Sequence, residues 1–203
     1  MRSERIAALT GVAFVVVAIV AGLIGGDPPS ADEPVQEIID HYADNETSIQ
    51  IGAFVAAAAM VLLVFFGAYL RSVLSAAEGR GGILPALTLV GAAIVAVGFA
   101  IDLTITVALT EAVEDIEPAA VQALQALWDN DFVPIALGIL VFLIATGLSI
   151  IRYGALPKWL GWVALVLAAI GFTPLGFIAF LGTGIWIAIV SVMLAVRAQP
   201  AAP

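Results

Sequence analysis

From Ile6 to Ile24 the chain runs nineteen residues without a charge, led in by Arg2 and Arg5. Apolar runs of similar length recur at Ile49–Leu70, Ile83–Val107 and Phe132–Ile151, with Asp102 the only break in Ile83–Val107. A membrane helix needs about 20 mainly apolar residues to cross a hydrocarbon core of about 30 Å, so each run is expected to be a span. The last apolar stretch, Trp159–Val196, has 38 residues, about 57 Å as one helix. It must break, and Gly171-Phe172-Thr173-Pro174-Leu175-Gly176 is the place. Proline removes a backbone donor there and the glycines permit a reversal. The expectation is a short span over 159–172 and a full one over 175–196, with a kinked or re-entrant segment as the alternative.

Charge gives these spans a direction. With six spans, Arg2, Arg5, Arg71, Arg80, Arg152, Lys158 and Arg197 fall on one side, and they are all the Lys and Arg in the protein. Basic loops stay in the cytoplasm, so both termini are expected there, in a multi-pass protein of the plasma (inner) membrane. Thirteen of the sixteen acids lie in the two opposite loops; Glu4, Glu78 and Asp102 are the exceptions. The first run is longer than the usual signal-peptide core of about 7–15 residues, and is read as a retained helix.

Composition agrees: 63% hydrophobic and 11% charged residues, against about 45–50% and about 25% in soluble domains. Six helices consume more than half of the 203 residues. The fold class is therefore all-α, a single polytopic membrane helical bundle over residues 1–203 with no room for a separate soluble domain. The net charge of −9 argues against nucleic acid as a partner. There is no cysteine and one histidine, His41, which removes thiolate sites and most zinc and triad chemistry. No cofactor motif is present and no catalytic residues are assigned; the chain reads more as a non-enzyme than an enzyme.

The two acidic loops echo each other. Glu33-Pro34 and Val35-Gln36 precede Asp44-Asn45 in the first; Glu117-Pro118 and Val121-Gln122 precede Asp129-Asn130 in the second. This suggests a parallel repeat of spans 1–2 and 3–4. Each loop also reads as an amphipathic helix, about 33–44 and 118–128, with an acid and a proline at its start. Val35, Ile38, Ile39 and Tyr42 form one apolar stripe, and Val121, Leu124, Leu127 and Trp128 another. These helices either rest on the ends of the spans or dip into the lipid interface, where Tyr42 and Trp128 would be at home.

Two sets of residues are candidates for chemistry. Glu37, Asp40, His41 and Asp44 fall at i, i+3, i+4 and i+7 of the first loop helix, a spacing that makes Glu37, His41 and Asp44 candidate metal ligands. The same spacing is the solvated face of any acidic amphipathic helix, and the second loop has no equivalent. Asp102 is the only ionisable residue inside an apolar run, where a charge costs about 2.5–3.5 kcal/mol at mid-bilayer. Nineteen residues precede it from Ile83, about 28 Å of helix, which puts it near the outer boundary. It serves either as an interfacial residue or, with Thr106 and neighbouring Thr104 and Thr110, as the wall of a polar pocket. Small pairs such as Gly22 and Gly26, Gly52 and Ala56, and Gly91 and Gly98 are expected at helix contacts. Trp159 and Trp162 beside Lys158 suit an anchor at the inner face.

Tyr42-Ala43-Asp44-Asn45, Phe65-Phe66-Gly67-Ala68-Tyr69-Leu70-Arg71 and Gly154-Ala155-Leu156-Pro157-Lys158-Trp159-Leu160-Gly161-Trp162 resemble a bacterial family of small six-span integral membrane proteins of unknown function. The resemblance implies a plasma-membrane bundle and brings no catalytic residues or ligand with it. The function expected is that of an accessory or interaction protein that meets the lipid bilayer and another membrane protein or a second copy of itself; the alternative is a small transporter or channel using a polar pocket around Asp102.

Overall fold

The computed structural model describes residues 2–79 and 82–197, the side chain of Arg2 excepted. Arg80 and the Arg2 side chain, both counted in the charge pattern, lie outside the described residues. Eight helices follow in chain order: α1 (Arg2–Gly25), α2 (Val35–Asp44), α3 (Glu46–Glu78), α4 (Ile83–Ala112), α5 (Pro118–Trp128), α6 (Phe132–Tyr153), α7 (Lys158–Gly171) and α8 (Gly176–Arg197). No strand occurs among the described residues. Five helical segments are long and apolar enough to cross a membrane; α7, with 14 residues, measures about 21 Å.

The long helices form a closed ring in the order α1, α3, α4, α6, α7, α8, each packed on the next and α8 on α1. Neighbours run antiparallel. Gly52 lies on Gly25 while Gly11 lies on Phe66, and Gly98 lies on Ile135 while Gly91 lies on Phe142. At Gly91 a Cβ would sit 2.4 Å from the Phe142 backbone nitrogen, so hydrogen alone permits that approach. The expected Gly22–Gly26 contact does not form: a Cβ at either meets nothing within 4 Å, and Gly25 with Gly52 makes the close approach instead. Ala21 and Gly25, one turn apart on α1, face Gly52, whereas Gly22 turns to the side of the ring cavity and Gly26 lies past the end of α1.

Polar side chains pin the ring. The Ser191 hydroxyl donates to the Ala8 carbonyl (2.6 Å) and accepts from the Val12 N–H (3.0 Å), tying α8 to α1. The Trp186 indole N–H donates to the Leu160 carbonyl (3.0 Å) and joins α8 to α7. Thr88 and Thr146 pair at 3.1 Å in the seam between α4 and α6. Of these four bonds, those of Ser191 to Ala8, Trp186 to Leu160 and Thr88 with Thr146 are buried inside the bundle, where an unmet polar group would be costly.

Phe172–Leu175 forms the reversal between α7 and α8, as the proline-glycine signal predicts. Its N–H groups are met from within: the Phe172 N–H donates to the Ala169 carbonyl, the Thr173 N–H to the Ile170 carbonyl, the Leu175 N–H to the Thr173 hydroxyl, and the Gly176 N–H to the Thr173 carbonyl. Other boundaries move outward. α3 continues through Arg71 to Glu78, and α4 runs past Val107 to Ala112. Pro34 stands at the N-cap of α2, outside the helix, whereas Pro118 is the first residue of α5 as expected.

The two loop helices pack on each other and on the extended end of α4. Ile38, Tyr42, Ile49, Ile105, Leu109, Val113 and Val121 make a second hydrophobic core there, separate from the core of the ring. Of the two placements left open by sequence, the helices rest on the ends of the long helices. The two halves share a long–short–long element order but not a register. α1 stops at Gly25 and reaches α2 through the non-helical 26–34, whereas α4 itself enters the cap.

Candidate functional site

Between the cap and the ring lies a cavity of about 560 Å³. α1, α3, α4, α6 and α8 supply its walls, and His41 and Tyr42 of α2 with Trp128 of α5 its roof. Most of the lining is apolar, including Phe99, Met60, Leu63 and Phe142. Polar groups gather at the cap end: Asp102 and Thr106 on one turn of α4, with His41, Tyr42 and Trp128 above. Asp102 thus stands at the junction of the two cores, facing the interior.

The roof is held by side chains that cross between the loops. Gln125 is fully buried. Its carbonyl accepts from the Tyr42 hydroxyl at 2.9 Å, and its amide donates to the Pro29 carbonyl at 2.7 Å and to Asp129 at 3.3 Å. Asp129 also accepts the Ala31 N–H at 2.8 Å. The segment joining α1 to α2 is therefore stapled to α5. The Trp128 indole N–H donates to the Thr106 hydroxyl at 3.1 Å and also faces the Asp102 carboxylate. The lipid interface was one of two placements open to Tyr42 and Trp128; both turn inward, because the facing loop helix and α4 supply the partners their polar tips need. Tyr42 is 1% exposed. Burial, reinforced by the negative charges of Asp102 and Asp129, pushes its hydroxyl well above the ordinary phenol range and keeps it a donor.

The threonines of α4 differ in role. Thr106 lines the cavity; Thr104 is exposed. Thr104, Thr106 and Thr110 each donate to the carbonyl one turn earlier in their own helix. The Thr106 oxygen is thereby committed to Trp128 and to its own backbone.

The candidate metal ligands do not converge. Among the described residues no group of three or more His, Cys, Asp or Glu could hold a metal ion. Glu37 and Asp44 are exposed, whereas His41 turns to the cavity and meets Tyr42 edge-on, ring centroids 5.4 Å apart. Its Nε2 is buried with no hydrogen-bond partner. Sequence had placed His41 on the polar face of α2; the deciding neighbour, Gln125, holds Tyr42 and with it the roll of the helix. Gln125 itself carried no signal beyond the apolar stripe it interrupts.

The cavity opens sideways. α1 and α8 are tied together at Ser191, toward the basic end, but nearer the cap Ile19, Leu181 and Ile185 line the cavity and are 59%, 51% and 63% exposed. Gly22 and Gly184 line the same stretch, and a Cβ at either meets nothing within 4 Å. Comparison with protein-family models, with curated proteins and with solved structures finds no match to this chain.

Proposed function

We propose that this chain is a plasma-membrane protein that takes up a membrane-soluble, amphiphilic molecule in the pocket around Asp102, the binding step of a small transporter. The observation that carries this reading is the side-open cavity of about 560 Å³, apolar along its walls and polar under its cap. Ligand pockets of this kind run to about 300–1,000 Å³ with few, placed polar groups. Of the two functions left open by sequence, an accessory protein calls for a close-packed bundle, and the cavity favours the other.

The membrane setting rests on the exposed surface of the ring, which carries large apolar residues such as Phe54, Phe65, Val97, Trp162 and Ile185. A protein in water does not display so extensive a surface. In this setting α1, α3, α4, α6 and α8 cross fully and the short α7 returns the chain, six spans in all. The self-satisfied turn at Phe172–Leu175 suits a reversal at membrane depth, where no water would meet its backbone. The basic end faces the cytoplasm with both termini and the acidic cap faces out. Because the chain has no cysteine, single-cysteine labelling tests this directly. An impermeant maleimide added to whole cells should label Asp32→Cys and spare Ala77→Cys; the reverse pattern would invert the protein.

Cavity filling tests the binding step. At Gly22 and Gly184 an added Cβ meets nothing within 4 Å, and leucine is the better helix former by about 0.8–1 kcal/mol. Native mass spectrometry of protein drawn gently from membranes should show a bound amphiphile on the wild type and lose it in the Gly22→Leu/Gly184→Leu variant. Equal adducts on both would refute the cavity as the site.

A further inference from the structure

We propose that the cavity selects a lipophilic amine: a ligand with a protonated ammonium head, directed at Asp102 and His41, and a single apolar tail that follows the walls toward the opening between α1 and α8. This inference rests on the binding function proposed above and adds the chemistry of the ligand.

The polar end of the cavity offers acceptors and lacks cations. No lysine or arginine lines it among the described residues. The described basic side chains Arg5, Arg71, Arg152, Lys158 and Arg197 belong to the helix ends away from the cap. Thr106 and Tyr42 are already engaged, with Trp128 and Gln125. Two groups have capacity left: the Asp102 carboxylate, and His41 Nε2, which is buried without a partner. Asp129 and Asp131 stand near the same end and add negative potential.

A carboxylate beside an apolar cavity is costly unless it meets a cation or strong donors. An ammonium supplies both the charge and N–H groups, one for the carboxylate and one for a neutral imidazole nitrogen, which accepts. A fatty carboxylate or phosphate head would meet Asp102 as a like charge. Trp128 and Tyr42 put aromatic rings in the roof, and aromatic rings attract cations. Lateral entry fits the ligand too, because an alkylamine partitions into the bilayer before it reaches the protein.

The test uses three probes with one tail: dodecylamine, an ammonium at pH 7, dodecanol and dodecanoate. Each is titrated into the full-length protein in nanodiscs of uncharged lipid, with empty discs as the blank, and binding is read by the thermal midpoint and by native mass spectrometry. Dodecylamine should bind about tenfold or more tightly than dodecanol, and dodecanoate more weakly than either. Asp102→Asn should abolish the preference, bringing dodecylamine down to the level of dodecanol on the same variant. His41→Ala, in the roof, should reduce the preference for dodecylamine over dodecanol and covers the case in which Asp102→Asn folds poorly. Equal binding of all three probes, or a preference for dodecanoate, would overturn the amine assignment and leave the cavity standing. If no probe binds the wild type above the blank, the binding function falls with it.

Discussion

Replacing Gln125 by leucine should loosen α2 from the rest of the cap without unfolding the ring. The change keeps side-chain bulk and removes three hydrogen bonds, to Tyr42, Pro29 and Asp129. Asp129 retains the Ala31 N–H. The Tyr42 hydroxyl and the Pro29 carbonyl lose their partners, each at about 1–3 kcal/mol if buried. Water at the rim repays part of this, which leaves about 2–4 kcal/mol against docking of α2. Local opening of that size multiplies amide exchange by roughly 30- to 700-fold. Hydrogen-exchange mass spectrometry of the protein in nanodiscs would read it in peptides covering Val35–Asp44, with α4 and α6 as internal references. Adding Tyr42→Phe should cost less than the sum of the two single changes, because the orphaned hydroxyl is gone. Unchanged exchange in α2, or a rise shared equally by α6, would refute the claim that one buried amide holds the roof.

Three further outcomes follow from the same packing. Gly91→Ala drives a Cβ to 2.4 Å from the Phe142 nitrogen and should cost about 1–3 kcal/mol as overpacking, visible as a lower melting midpoint, whereas Gly22→Ala should be neutral or stabilising. Ser191→Ala removes the bond to the Ala8 carbonyl and the acceptor for the Val12 N–H and should lower stability by about 1–2 kcal/mol, read in the same melts. Tyr42 ties the cap to alkaline pH. Its folded pKa is raised above the ordinary 10.0, so its stabilisation is fully present below pH 10 and is lost as pH rises toward the folded value. Exchange in α2 should therefore quicken above pH 10, beyond the intrinsic acceleration, in the wild type and not in Tyr42→Phe.

The sequence by itself determined the helices and their alternation. Runs near twenty apolar residues have one low-cost conformation, with every backbone group bonded within the segment. The proline-glycine hexapeptide marked where 38 apolar residues, about 57 Å as one helix, must break, and the packing of α7 on α8 made that break a reversal. The amphipathic stripes of α2 and α5 were equally legible, since helical periodicity is local. Tertiary structure decided everything that depends on a partner far away in the chain. Tyr42 turns inward because Gln125, 83 residues on, accepts its hydroxyl, and no local rule distinguishes that from a tyrosine facing lipid. Gly25 rather than Gly22 takes the helix contact because the axes of α1 and α3 meet on one stripe. Asp102 was visible as the only acid in an apolar run. Its orientation, into a cavity beneath the cap, was fixed only when α1 and α8 parted near the roof and left the space that it faces.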